Sequence, residues 1–474
     1  MTGEHDEVDP EEQSEDYRAF RKFMDALGGE DRRRLVDQLT ERIEANPRDT
    51  EALSARGLAY EQVYDHRRAA EDYGRVIALD PDNTGAYLDR ARVLSEMEDY
   101  ASALRDYDAA IRLAPGDAVA HYSRGACRAE MGDLADAMSD FDVAVLLVPN
   151  DADAHYNRGL TYVAMAEPLK AVEGLSRALE LEPKQAVAHY HRGNAYRDLG
   201  ELDKAIDDFD SAIELEQNFG LAIYARGITN LNLQRYYDAL RDFDAVIGLD
   251  PDSAEALRGR GVALGSLGRN EEAIGELNRS LELDPGNVET LTARGLAHTS
   301  LERHELAIAD YTKVIDLDPR NTRVLYNRGT ARMDLGRYER AVEDFNAIIR
   351  IAPNDIGAYT GRGFAHTLLG EHAKALKDYN KAIELTPDDP MAYYYRGRAQ
   401  AELGEFRRAV ENFGRAVALD PDNVQSLRNR AALYRKLGEP DKAVRDYDEV
   451  IRLKPDDTAA REDRRLALTE AEVC

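Results

Sequence analysis

A proline stands at a fixed interval of 34 residues through most of this chain: Pro47, Pro81, Pro115, Pro149 and Pro183, then Pro251 to Pro455 without slippage. One rung is missing, where Gln217 occupies the place. A constant period of this length marks repeated supersecondary units, each too small to bury its own apolar face, that stack on their neighbours. Such an array escapes the size limit of a single core because each unit needs only the next one. The 474 residues are therefore read as one elongated array, an architecture that offers a binding surface more readily than a catalytic pocket.

Setting the proline at position 32, with Thr84 at position 1, makes the unit legible. Position 8 is small, from Gly57, Gly125 and Gly159 to Gly397, with Ala91 and Ala431 as the exceptions. Position 20 is alanine in all twelve units, Ala69 to Ala443, and position 24 is aromatic in ten, with Leu175 and Leu277 in the others. Apolar residues at 8, 10, 11 and 14, and again at 20, 21, 24, 27 and 28, follow a helical period, and glycine is common at 15 between them. Each unit is thus predicted to be two helices. Asn83, Asp117 or Asn287 caps the next first helix, and the proline just ahead stops the preceding one.

This pattern resembles the tetratricopeptide repeat family over about Thr50 to Asp457, in twelve in-register copies. The resemblance implies an all-α fold, a right-handed α-solenoid of antiparallel helix pairs whose inner groove is lined by the first helix of each pair. The flanks read as an acidic tail over 1–13, a degenerate capping repeat over 14–49 and a capping helix over 458–474. Phe20, Phe23, Leu35, Val36, Leu39 and Ile43 keep helical spacing in the first cap; Ala459, Leu466 and Leu468 are the apolar residues of the last.

Two departures from the family pattern are correlated. Position 7, commonly leucine, is arginine in all twelve units, and position 23, commonly tyrosine, is aspartate in nine, with Gly174, Glu276 and Asn412 in the rest. A planar guanidinium suits paired hydrogen bonds to a carboxylate. Each arginine is expected to reach an aspartate on a second helix, within its own repeat or across the boundary, which withdraws the series from ligand binding.

Function is sought at positions that the fold leaves free. In the family the groove-facing positions are near 2, 5, 9, 12 and 13. Position 5 carries Tyr122, Tyr156, Tyr190 and Tyr224 in consecutive repeats. With Asn194, Arg197, Leu160, Val163 and Leu231 they outline an aromatic, hydrogen-bonding stripe for an extended peptide, against the plainer reading of tyrosines that pack the groove. Arg398, Arg428, Arg435 and Lys436 form a second candidate, a local positive surface for an acidic peptide or carboxylate tail. The protein's own N-terminal acids, Glu4 to Glu12, are one donor, and a solvated charge cluster is the bland alternative. An irregular zone runs from Pro168 to Gly220, where Phe219 replaces a capping residue and either anchors a partner or packs into the repeat junction.

Other classes find little support. The formal charge of −29 disfavours nucleic acid and anionic membrane, and no apolar run approaches the ~18 to 20 residues of a membrane span. Met1 to Glu15 lacks the basic and apolar segments of a secretory signal, so the expected location is cytoplasmic. Cys127 and Cys474 form no metal or redox spacing, and no cofactor or catalytic motif appears. His121, His155 and His189 recur at position 4, one per repeat, and repeats about 10 Å apart are too distant for one ion. The carboxylate clamp of chaperone co-factors is missing, since Tyr190 stands where it needs lysine. The chain reads as a non-enzymatic adaptor for a peptide or partner protein, with a self-assembling structural solenoid as the alternative.

Overall fold

Two helices form in every 34-residue unit, and a few residues set their limits. In the computed structural model, which describes residues 29–473, the first helix covers positions 1 to 13, as in Thr84–Glu96, and the second 17 to 30, as in Tyr100–Leu113. Among the described residues there are 26 helices and no strand: twelve such pairs, with Gly29–Ala45 before them and Thr458–Val473 after. The fold is an all-α solenoid of helix pairs, as expected. Phe20, Phe23, the acids of 1–13 and Cys474 lie outside the described residues.

First helices begin where a side chain takes an orphan amide. Asn83 accepts from the Ala86 amide at 2.9 Å and Asp355 from Ala358 at 2.8 Å. Second helices end because the residue before proline must be extended, with φ −135° and ψ 87° at Asp80. Glu216, which precedes Gln217, holds the same conformation, φ −138° and ψ 94°. The missing proline therefore leaves the turn intact: one helix ends at Leu215 and the next begins at Gly220. Gln185 and Phe219 start their helices with no side-chain cap bond.

Packing inside a pair depends on position 8. A Cβ placed on Gly193 would stand 2.7 Å from the Phe209 ring, and one on Gly295 would stand 2.5 Å from Tyr311. Glycine lets the aromatic side chain at position 24 lie directly on the first helix, while alanine at position 20, fully buried from Ala69 to Ala443, closes the other contact.

The chain divides into two compact units, one ending at Leu233 and the other beginning at Gln234. In a stack of nearest-neighbour contacts no common core ties distant repeats together. Within the first unit, Ala186–Asp198 touches both Ala152–Ala164 and Gly220–Asn232. Within the second, Ile356–Leu368 touches both Thr322–Asp334 and Pro390–Glu402. First helices therefore form continuous surfaces. Leu39 and Ile43 of the leading helix are buried with Leu53 and Val76. In the last helix the expected contact residues differ from those observed: Leu466 and Leu468 are exposed, as is Ala459, while Ala460 and Ala467 are buried. The helix keeps the frame of a thirteenth first helix, so positions 3 and 10 point inward.

Candidate functional site

The arginines of position 7 are held by the scaffold. Arg56 donates through Nε and Nη2 to both oxygens of Asp72 at 2.7 Å, and Arg294 does the same to Asp310 at 2.9 and 2.6 Å. The same fork joins Arg90 to Asp106, Arg124 to Asp140, Arg192 to Asp208, Arg328 to Asp344, Arg362 to Asp378 and Arg430 to Asp446. The pairing is within the repeat. The free Nη1 reaches backwards to position 25 of the preceding second helix: Arg124 to Asp108 at 2.7 Å, Arg226 to Asp210 at 2.5 Å, Arg294 to Asn278 at 2.7 Å. One guanidinium thus ties its own hairpin and the boundary together. Position 25 was not anticipated, although its small polar series, Asp108, Asp142, Ser176, Asp210, Asp244 and Asn278, is visible in the sequence. Burial alone would lift the Asp208 carboxyl, but the hydrogen bonds from Arg192 and His189 outweigh it and hold the group below the usual carboxylate range.

The position 4 histidines are likewise structural. His121, His155 and His189 place Nε2 3.0 to 3.1 Å from the carbonyls of Pro115, Pro149 and Pro183. Among the described residues no cluster of metal-ligating side chains occurs, and no helix is long and apolar enough to cross a membrane.

The tyrosine stripe lies half-buried in the first unit. Asn157 Nδ2 donates to the Tyr122 hydroxyl at 2.9 Å, linking repeats three and four. Burial, reinforced by the Asp153 and Asp151 carboxylates, raises the Tyr122 phenol, and burial alone raises Tyr156. From Tyr156 a continuous aromatic run follows. Its ring lies 6.2 Å from His191, which lies 5.1 Å from Tyr190, which in turn meets Phe219 at 5.3 Å and Phe209 at 6.2 Å. Phe219 packs at the repeat junction, half-buried against Tyr190. His191 was not anticipated; burial lowers its pKa, so near neutral pH it offers one donor and one acceptor. Among the described residues the hydroxyls of Tyr156 and Tyr190, the Asn194 amide and the Arg197 guanidinium have no hydrogen-bond or ion-pair partner. Tyr224 lies half-buried on the last helix of the same unit.

The four basic residues near the chain's end do not share one fate. Arg428 pairs with Asp457, and Arg435 grips Glu470 through Nε at 3.0 Å and Nη2 at 2.6 Å, with Asp463 at 3.6 Å. Both partners' acids belong to the terminal helix or its entry. Lys436 lies over the Phe406 ring at 4.1 Å and Arg398 over the Tyr394 ring at 5.9 Å, neither with a carboxylate.

Profiles described as Tetratricopeptide repeat match residues 57–124, 186–219, 224–288, 292–356 and 394–458, and one described as TPR repeat matches 365–404. No curated protein sequence matches the chain. Among solved structures, it is similar to a tetratricopeptide repeat protein from Parabacteroides merdae at 19% identity, over 53% of this chain and 99% of that one, with a TM-score of 0.42. YrrB, described as a TPR protein with an unusual peptide-binding site, is 27% identical over 40% of this chain and 97% of its own, with a TM-score of 0.37. Yeast Tom70 is 18% identical over 90% of this chain and 95% of its own, with a TM-score of 0.37.

Proposed function

Since the chain belongs to the tetratricopeptide repeat family, we propose that it is a non-enzymatic adaptor holding a peptide or a segment of a partner protein along the first helices of repeats three to six. Proteins of this family generally mediate protein–protein interaction. One observation carries the more specific reading: Tyr156, Tyr190, Asn194 and Arg197 keep unused hydrogen-bonding groups beside an aromatic run, in a protein whose position 7 arginines are consumed by the scaffold. An extended peptide brings unpaired amides and carbonyls, and half-buried tyrosines supply contact area at low entropic cost. Tyr122 and Tyr224 extend the stripe on either side. Arg428 and Arg435 are assigned to seating the terminal helix, and the two flanking helices to capping the array. The acidic surface suits a cytoplasmic protein that avoids nucleic acid and anionic membrane.

A pull-down with wild-type protein beside a Tyr156→Ala/Tyr190→Ala double variant tests this. A partner lost only from the variant supports the stripe; identical partner sets reject it. Self-assembly, the other reading, is tested by light scattering over a concentration series, where a concentration-independent monomer removes it.

A further inference from the structure

We infer that repeats nine to eleven carry a second, separate site, an aromatic cradle with one arginine that binds a peptide segment bearing a carboxylate next to a large aromatic side chain. The cradle spans three consecutive first helices of the second unit, Thr322–Asp334, Ile356–Leu368 and Pro390–Glu402, which touch in order. The middle helix carries glycine at positions 2 and 6, Gly357 and Gly361, and the space over Gly361 is filled by the Phe345 ring of the preceding repeat, 2.7 Å from where a Cβ would stand. The exposed Tyr326 ring leans onto Gly357: a Cβ there would stand 3.4 Å from its Cε2. On the other side Phe364 meets Tyr395 at 5.6 Å, and Tyr395 meets Tyr394 at 5.3 Å. Tyr395 is itself fixed by stacking on the buried Tyr379 at 5.8 Å and 15°. The result is an aromatic cradle, with Tyr326 on one first helix and Phe364, Tyr394 and Tyr395 on the next two.

Arg398 gives the cradle its charge. It lies one turn beyond Tyr394 on the same helix face, half-buried, with its guanidinium carbon 5.9 Å from the Tyr394 ring. Among the described residues it has no carboxylate and no hydrogen-bond partner. By contrast, Arg428 and Arg435 on the next first helix are both matched by acids. A partly desolvated guanidinium backed by a ring is poised for a bidentate carboxylate. On a chain of net charge −29, a guanidinium suits one carboxylate better than a polyanion, which the overall charge repels. The ring of the preceding residue would stack on the exposed Tyr326 and the half-buried Phe364.

The probe is a fluorescein-labelled decapeptide, a glycine–serine spacer ending in phenylalanine–glutamate with an amidated terminus, titrated with the full chain by fluorescence anisotropy. Its control carries glutamine for glutamate. The glutamate peptide is expected to bind about tenfold or more tighter than the control, as a hydrogen bond to a charged group implies. Arg398→Gln should abolish that preference and Arg398→Lys should keep part of it. Tyr326→Ala should weaken both peptides alike, whereas Tyr156→Ala/Tyr190→Ala should change neither, which separates this site from the one proposed above. Circular dichroism melting verifies that each variant folds. Equal affinity for the two peptides, a glutamate preference that survives Arg398→Gln, or no binding up to about 1 mM protein would each overturn the inference. Self-association abolished by Arg398→Gln would assign the cradle to a second copy of the chain and would also overturn the inference.

Discussion

Replacing Arg192 by alanine is expected to lower the stability of the first unit by about 3 kcal/mol. Arg192 donates to both oxygens of Asp208 at 2.8 and 2.7 Å, and the Asp208 side chain is only 5% exposed against 20% for the arginine. Two hydrogen bonds to a charged acceptor contribute roughly 1.5 to 3 kcal/mol each. Water entering through the partly open arginine position recovers some of that, and His189 Nδ1, 2.9 Å from Asp208, remains. The balance falls at the lower end of the ~3 to 5 kcal/mol for breaking a buried pair. Repeat four supplies an internal control, because Arg158 faces Gly174 and among the described residues reaches only Asp142, at 3.3 Å and 56% exposed. Arg158→Ala should cost about 0 to 1 kcal/mol.

Urea unfolding followed by circular dichroism gives the difference, and hydrogen exchange in Ala186–Asp198 and Leu202–Leu215 localises it, since repeats can open individually. The effect of pH has a definite sign. Asp208 is held below its ordinary pKa by Arg192 and His189 against the burial that would raise it. Its contribution is therefore complete above the unfolded carboxylate value of about 3.9 and is lost as pH falls through the folded value. The gap between wild type and Arg192→Ala should be full at neutral pH and narrow in acid. Equal losses at Arg158 and Arg192, or a gap indifferent to acid, would refute the reasoning.

Two other substitutions probe the hairpin and its boundary. Gly193→Ala places a methyl 2.7 Å from the Phe209 ring and should destabilise by about 1 to 3 kcal/mol through overpacking, read as a lower melting temperature. Gln217→Pro restores the absent rung. Glu216 is already extended as a residue before proline must be, and Gln217 donates no backbone hydrogen bond, so the variant should gain about 0.4 to 1 kcal/mol in urea unfolding.

Much of the fold was legible because it is local and repeated. A small residue at 8, alanine at 20, an aromatic at 24 and proline at 32 each answer a constraint met within one hairpin, and twelve copies average away exceptions such as Gln217. The arginine and aspartate of positions 7 and 23 could be paired in advance because they recur together: arginine fills position 7 in every unit and an acid fills position 23 in ten. The partner at position 25 was obscured because aspartate, asparagine, serine, threonine and glycine alternate there, any of which leaves space for Nη1.

The candidate sites divide at the same line. Sequence alone, through repeat register and the family resemblance, determined which positions of the twelve units the fold leaves free. Only the tertiary structure decided which of them are already occupied. Arg435 and Arg398 are the same residue type on adjacent first helices, yet Glu470, 35 residues on, takes one, while an aromatic ring and no carboxylate meets the other. The reach of a side chain across a repeat boundary is set by packing in three dimensions, and a charge's availability depends on what stands within that reach.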